Sequence, residues 1–478
     1  SIEDVTATIL GNVPSIAGEE ERSKIVAENT EALVKKMNEG LPEGQSSQVV
    51  AFFGGNQYFA FVYETFTDIR LVGTPPSSIG KFGGDTDNWM WPRHTGDFSI
   101  FRVYASKDNK PAAYSKDNVP YKPKRHLEIS IDGYKEGDFS MVMGFPGSTT
   151  RYMTSYEIDQ MLEVDNPQRI FIRGERQEIL WEAMEASDEI RIKYASKYAG
   201  SSNYWKNSIG MSRGIEKLDV KSKKQAQEQA FAAWAAANTL PEEHFVDALP
   251  LIEQSQTEAK EENATLQYIS ETFFQSVELV QTMMGMRDPE QFYKDYDEAT
   301  DRDVAKRMFT IYRENNKRLP SIYAKIDAEF GGNSDAYVDW LYDNSQLTSY
   351  EKFQAIAALD AEAREAAFNN DPAYELTWSL YELYKELVPA AQVANEKYSE
   401  GHRLYIAGLM KMKPNKAWAS DANFTLRLTY GNVLPYSPAD GIIYNHYTTL
   451  DGVMAKEDPT NPVEFTVPAR LKELYAAK

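Results

Sequence analysis

One short segment of the chain combines several side chains that could do chemistry. The stretch "GGDTDNWMWPRHTGDFSIFRVYAS", residues 83–106, holds Asn88, Trp89, His94 and Asp97. A carboxylate such as Asp97, placed where a strand begins, can orient the ring of a histidine in a Ser-His-Asp triad. The alternative is a turn aspartate that caps the first amide groups of the strand, and local sequence alone favours this alternative.

Each of the other residues also has a purely structural interpretation. His94 is a candidate base for Asp97, but side chains this close in a loop or strand usually diverge. Trp89 is more often a core residue than a ligand platform, and Asn88 more often a turn former than a recognition group. Residues 85–88 resemble the start of a calcium loop, but that loop's glycine and bidentate glutamate are missing. The five histidines show no His-x-x-x-His spacing, so we predict no metal and no cofactor.

Composition excludes several function classes. The 478 residues include 51 basic and 72 acidic side chains, a net charge of −21, which argues against a nucleic-acid or anionic-membrane surface. The absence of cysteine excludes disulfides, cysteine-based metal sites and thiol nucleophiles. The sequence contains no apolar run long enough to span a membrane. The first residues, "SIEDVTATIL", include no initiator methionine and lack the pattern of a signal peptide. We therefore expect an interior piece of a longer protein.

The chain predicts a multidomain α+β protein with three zones. Residues 1–155 are expected to be β-rich, after a helix over about 19–39, and Gly54-Gly55-Asn56 predicts a hairpin turn. "FSIFRVYAS", "HLEISIDG" and "DFSMVMGFPG" continue the pattern of short strands. Residues 421–478 return to this pattern, with Phe424, Leu426, Leu428 and Tyr430 alternating on one face of a strand.

The middle zone, residues 156–420, predicts helices and no strand. Apolar residues recur at steps of three and four, and we expect about eight or more helices. A helix should end at Asn238 and another should start around Pro241. Two core stripes carry the prediction: Ile179, Ala183, Ala186, Ile190, Tyr194, and Phe273, Val277, Val280, Met284. Helices flanked by β segments suggest a helical domain inserted into a β domain.

Four segments together resemble serine peptidase family S46, the dipeptidyl aminopeptidases of the dipeptidyl-peptidase 7 and 11 group of bacteria. They are "FGGDTDNWMWPRHTGDFSIFRVYA", "MGFPGSTTRY", "SSNYWKNSIGM" and "NFTLRLTYG". The resemblance extends over nearly the whole chain. It implies a chymotrypsin-like double β-barrel with a large helical domain that caps the active site.

The resemblance assigns roles to four residues. It makes Asp97 the triad aspartate, and it makes Asn88, Trp89 and Asn203 the residues that hold the free α-amino end of the substrate. An ammonium group prefers amide and carbonyl oxygens in a closed pocket, and a closed end limits cleavage to two residues. The implied function is release of dipeptides from the free N-terminus of peptides, in the periplasm or at the cell surface.

Two members of the triad have no counterpart in this sequence. The resemblance places the catalytic histidine upstream and the serine downstream, in a Gly-Asn-Ser-Gly-Ser-like segment that does not occur here. We therefore expect the chain alone to be inactive. A non-catalytic peptide-binding module, or pseudo-peptidase, is the alternative. The expected partners are peptides with a free N-terminus, with a homodimer left open.

Overall fold

The chain forms two compact units. A computed structural model describes residues 1–14 and 18–477, and contacts between Cα atoms separate residues 1–152 and 402–478 from residues 153–401. We name the first the β-rich unit and the second the helical unit. The helical unit is thus a continuous segment between the two segments of the β-rich unit. Its end at 401 lies inside a long helix, whereas the sequence pattern places the change at about 420.

The first segment of the β-rich unit alternates short strands with a few helices. Its elements are β1 (Ile2–Asp4), α1 (Thr6–Leu10), α2 (Glu19–Glu39), β2 (Gln45–Phe52), β3 (Gln57–Glu64), β4 (Ile69–Gly73), α3 (Ser77–Gly80), β5 (Ile100–Ala105), β6 (Val119–Pro120) and β7 (Phe139–Gly144). The predicted helix α2 and the predicted hairpin are both confirmed. Strands β2 and β3 pair antiparallel from Gln45↔Glu64 to Phe52↔Gln57, and Gly54, with φ 66°, lies in the turn.

The helical unit consists of helices throughout residues 153–401, as the sequence predicts. Its elements are α4 (Ser155–Gln160), α5 (Asn166–Ala186), α6 (Asp188–Lys217), α7 (Val220–Asn238), α8 (Ala248–Glu258), α9 (Lys260–Ile269), α10 (Glu278–Met284), α11 (Pro289–Lys294), α12 (Glu298–Asn315), α13 (Ile322–Phe330), α14 (Ser334–Asn344), α15 (Tyr350–Ala357), α16 (Ala361–Asn369) and α17 (Pro372–Met412), whose last turns belong to the β-rich unit.

The second segment of the β-rich unit returns to short elements. They are β8 (Arg427–Asn432), β9 (Tyr436–Ala439), β10 (Ile442–Tyr444), α18 (Leu450–Ala455), α19 (Pro462–Phe465) and α20 (Ala469–Ala476). Strand β8 pairs antiparallel with β7, so the two segments of the unit share a sheet. The predicted strand at Phe424 begins three residues later than expected, at Arg427, because Phe424 has a positive φ of 60°.

The strands assemble into small open sheets. In residues 1–14 and 18–477 the orders are β1-β3-β2, β4-β5-β6, β7-β8 and β9-β10. The expected strand "HLEISIDG" is wrong, because residues 126–133 have no strand neighbour in the described chain, and a strand needs one to satisfy its backbone groups. Ile131 in that stretch is 94 % exposed.

The two units differ in their cores. Tyr58 and Ala60 of β3 pack with Val5 and Ile9, and α2 adds Leu33, in a small cluster of the β-rich unit. The helical unit has a much larger cluster, which extends over α5, α6, α9, α10 and α12 to α17. Most of the predicted stripe residues lie in it or against it, whereas Met284 is exposed.

Two details of the helix predictions are corrected by the structure. Helix α7 ends at Asn238 as predicted, but the chain then makes two short 3-10 turns, and α8 starts only at Ala248. The stripe from Ile179 to Tyr194 crosses from α5 to α6, because Ser187 interrupts it and caps α6. No helix within the described residues combines the length and apolarity needed to cross a bilayer.

Candidate functional site

The candidate residues of the β-rich unit lie on the connection between α3 and β5. We call residues 81–99 the site loop. Asp97 was expected to begin a strand, but β5 starts only at Ile100. Its side chain is exposed, and within the described chain it accepts no hydrogen bond, so Asp97 caps no strand amide there. The carboxylate is therefore accessible to a partner.

A carboxylate from the far end of the sequence holds the first half of the site loop. Glu464 is buried and accepts hydrogen bonds from the backbone amide of Asp85 at 2.7 Å and the hydroxyl of Thr86 at 2.6 Å. Asn461, which caps α19, donates to the same carboxylate at 3.1 Å. Gly84, with φ 43°, passes so close to Glu464 that a Cβ at this position would collide with its side chain. Each of these bonds to a charged group contributes about 1.5–3 kcal/mol.

A lysine from the same distant segment holds the second half of the site loop. Lys456 follows α18 and makes an ion pair of 2.6 Å with the buried carboxylate of Asp87. Its ammonium group also donates to the carbonyl of Pro92 at 2.9 Å. The hydroxyl of Thr448 donates to the carbonyl of Arg93 at 2.8 Å. Residues 448–464 thus fix the path of the loop at several points; we call this set of contacts the polar clamp.

A small apolar cluster lies beneath the polar clamp. Phe82, Val453 and Val467 are buried together, and the ring of Phe465 meets that of Phe82 edge to face at 5.7 Å. An edge-to-face arrangement is favourable for aromatic rings. The cluster joins the start of the site loop to α18 and α19, so apolar packing supports the same alignment as the polar clamp.

His94 does not act as the base for Asp97 in this arrangement. The structure shows no hydrogen bond between the two side chains, and the ring of His94 lies against Gly452, where a Cβ would collide with it. Its Nδ1 is buried and makes no hydrogen bond in the described part of the chain. Burial lowers the pKa of His94, and the nearby Lys456 lowers it further. His94 is thus a packed ring of the loop and not a partner of Asp97.

Asn88 and Trp89 lie at the turn of the site loop between Asp87 and Pro92. Asn88 is half-buried, and Trp89 is 59 % exposed. Trp89 has a φ of 61°, in the left-handed region that a bulky side chain seldom adopts. Such a backbone conformation costs on the order of 1–3 kcal/mol and is concentrated at functional sites. Trp89 is thus an exposed aromatic residue in a strained backbone conformation.

Asn203 lies in the helical unit, on α6, and is half-buried. Its helix is tied to α5 by Trp205, whose indole Nε1 donates to the carbonyl of Ile170 at 2.9 Å. Trp205, two residues after Asn203 in "SSNYWKN", thus fixes α6 against α5. The described residues contain no group of three or more histidine, aspartate or glutamate side chains that could hold a metal ion.

The sequence comparison decides the family. The family model for peptidase S46 matches residues 1–288 and 282–478. The chain belongs to peptidase family S46. It is 42 % identical over its full length to a dipeptidyl-peptidase 7 of Porphyromonas gingivalis, and 40 % identical over 91 % of its length to an Asp/Glu-specific dipeptidyl-peptidase of the same organism.

A solved structure has the same fold. The crystal structure of Porphyromonas endodontalis DPP11 with the dipeptide Arg-Glu matches all of this chain with a TM-score of 0.86 at 35 % identity, and the match covers 71 % of that protein. The chain spans 69 % and 63 % of the length of the two P. gingivalis relatives. The family expected from the motifs is thus confirmed, and the mixed helix and strand architecture is that of this family.

Proposed function

We propose that this chain is the part of a serine-type dipeptidyl aminopeptidase that supplies the triad aspartate and holds the amino end of the substrate. The observation that carries the proposal is the site loop, in which Asp97 is accessible while the preceding residues are fixed by Glu464 and Lys456. Fixed neighbours allow a carboxylate to orient a partner without reorganisation. The relatives named dipeptidyl-peptidase provide the reaction class.

Asp97 would hold the imidazole of a catalytic histidine in the correct tautomer and stabilise its charged form. A serine hydroxyl would attack the carbonyl of the second residue, and the histidine would carry its proton to the leaving amine. Both groups would come from polypeptide beyond these 478 residues. The aspartate of a triad is buried, whereas Asp97 is exposed in this chain. The segment that carries the histidine would therefore also have to cover Asp97.

Asn88, Trp89 and Asn203 would bind the substrate's free α-amino group. An amide oxygen that accepts from an ammonium group makes a charge-assisted hydrogen bond, and the exposed ring of Trp89 provides a surface for the cation. The strain at Trp89 supports this assignment, since strain is retained where it contributes to binding.

The open sheets of the β-rich unit would be parts of a chymotrypsin-like double β-barrel. The supporting observation is the ribbon of β7 and β8, an antiparallel pair whose apolar side chains are exposed. Apolar strand faces of this kind mark surfaces that another part of a protein covers.

Activity measurements test the proposal at two levels. The 478-residue chain alone should not release a fluorogenic group from a dipeptidyl substrate, because nucleophile and base are missing. In a longer polypeptide that carries both groups, Asn203→Ala should lower kcat/KM by about 10- to 100-fold for a free-amine substrate. An N-acetylated substrate should show no such loss. Equal losses on both substrates would show that Asn203 supports folding. Turnover by the chain alone would contradict the proposal that the serine and the histidine come from other polypeptide.

A further inference from the structure

The helical unit contains a cavity with two unsatisfied hydrogen-bond donors. The cavity has a volume of about 630 Å³ and lies among α5, α6, α10 and α11. This volume falls within the range of about 300–1,000 Å³ that is usual for small-molecule sites. Arg176 of α5 and Ser201 of α6 line the cavity and are almost fully buried.

Arg176 differs from the two other arginines of α5, Arg169 and Arg173. Arg176 is 7 % exposed. Within residues 1–14 and 18–477 its guanidinium group makes no hydrogen bond and no ion pair, and its Nε atom is buried without a partner. By contrast, Arg173 pairs with Glu271 at 2.8 Å, and Arg169 pairs with the same glutamate at 3.2 Å. Burial lowers the pKa of Arg176, while the carboxylates of Glu278 and Asp301, which lie nearby without a hydrogen bond to it in the described chain, act in the opposite direction. A buried cation in this state is costly unless an acceptor binds it.

Ser201 also differs from two threonine hydroxyl groups on helical turns of the same unit. Thr272 donates to the carbonyl of Tyr268 at 2.6 Å, and Thr377 donates to that of Ala373 at 2.8 Å, which is the usual arrangement within a helix. Ser201 Oγ is buried and makes no such bond in the described chain. Two independent donors on two helices therefore face one cavity without an acceptor.

The charges around the cavity restrict the ligand. Lys197 is already paired with Glu278 at 2.6 Å, and Glu271 is occupied by the two arginines. Asp288 and Asp295 also line the cavity. Arg176 and Arg287 thus line the cavity without an ion pair in the described chain, and a dianion would face nearby carboxylates. The planar fork of a guanidinium group matches a carboxylate.

We propose that this cavity binds a small monocarboxylate, with the carboxylate on Arg176 and a further hydrogen bond from Ser201. The C-terminal end of a short peptide or of an amino-acid derivative belongs to this class. Asn203 is not among the residues that line this cavity, and the site needs no ammonium group on the ligand.

Ligand-observed NMR with N-acetylalanine tests the site in the 478-residue chain. This probe has one carboxylate and no ammonium group, so its binding does not depend on the proposed peptidase function. The wild-type chain should bind it saturably in carboxylate-free buffer of low salt. N-acetylalaninamide, which has the same shape without the charge, should not bind. Arg176→Gln should weaken binding about tenfold or more, and Ser201→Ala about 3- to 10-fold.

Two further variants make the experiment decisive. Arg191→Gln changes a half-buried arginine of α6 that pairs with Asp188 and does not line the cavity, and it should leave the affinity unchanged. If Arg176→Gln does not fold by circular dichroism, Arg176→Lys keeps the charge, loses the fork, and should still weaken binding. The proposal is overturned if the wild-type chain does not bind the probe, or if the folded Arg176 and Ser201 variants bind it as well as the wild type does.

Discussion

The helical unit and the β-rich unit are ordered by different interactions. The helical unit buries a continuous aromatic core in which Phe273, Phe309, Tyr312 and Tyr337 are fully inaccessible. The β-rich unit exposes many apolar side chains on its strands, for example Leu428 at 54 %, and its site loop is held by charged groups. Helices can bury their apolar faces within one segment, whereas short strands need neighbours.

The region that contributes most buried apolar surface therefore differs from the region that carries the proposed catalytic residues. The residues proposed for catalysis lie where the structure depends on a few buried polar contacts, and the large core lies elsewhere in the chain. Loops positioned by a rigid framework are where functional residues are usually found. Perturbing the core and perturbing the polar clamp should therefore have distinct consequences.

The largest effect is expected in the aromatic core. Phe309 contacts the rings of Phe273 at 5.0 Å and Tyr337 at 5.5 Å. Phe309→Ala should lower the free energy of unfolding by about 3–5 kcal/mol, because it removes buried apolar surface and leaves a cavity. Leu428→Ala, on the exposed ribbon, should change it by less than about 0.5 kcal/mol. Denaturant unfolding followed by circular dichroism measures both, and equal losses would remove the contrast between the units.

A local effect is expected from breaking the polar clamp. Glu464→Ala removes the acceptor for Asp85, Thr86 and Asn461, and it should raise hydrogen exchange of the site loop by an amount equivalent to about 2 kcal/mol or more. Exchange in α12 of the helical unit should stay unchanged. Glu473→Ala, on the exposed helix α20, is the matched control and should leave the loop as protected as in the wild type. Unchanged loop exchange in Glu464→Ala would show that the clamp does not hold the loop.

The smallest effect concerns pH. The pKa of His94 is lower in the folded protein than its ordinary value of 6.5, because the ring is buried and lies near Lys456. The unfolded loop therefore binds more protons than the folded loop, and its stability should fall as the pH drops below about 6.5. Hydrogen exchange of the site loop between pH 7.5 and 5.5, corrected for intrinsic rates, measures this. His94→Gln should flatten the dependence, and an unaltered slope would contradict the assignment.

Local patterns predicted much of the fold. The β2–β3 hairpin follows from its Gly54-Gly55-Asn56 turn, and the helices of residues 153–401 follow from apolar spacing. Both signals lie within a short window of sequence. The stretch around Ile131 also alternates, but alternation does not specify a neighbouring strand, and the described chain provides none.

The candidate site was only partly predictable for a related reason. The motif identified Asp97, Asn88 and Trp89, yet the clamp residues Glu464 and Lys456 lie far away in sequence and resemble ordinary surface residues there. Asn461 caps α19 by a local interaction with Glu464, and such an interaction does not specify a contact with the site loop. Contacts over such a separation depend on tertiary structure, which no local pattern encodes.

The role of Asp97 is tested most directly by Asp97→Asn in a longer polypeptide that contains the serine and the histidine. We expect kcat for a free-amine dipeptidyl substrate to fall on the order of 10⁴-fold with an unchanged melting temperature, because the amide favours the wrong imidazole tautomer. Asp108→Asn, which alters another exposed loop carboxylate of the β-rich unit, should keep normal activity. If Asp97→Asn retains more than about a tenth of the wild-type kcat with normal stability, Asp97 is not the triad aspartate.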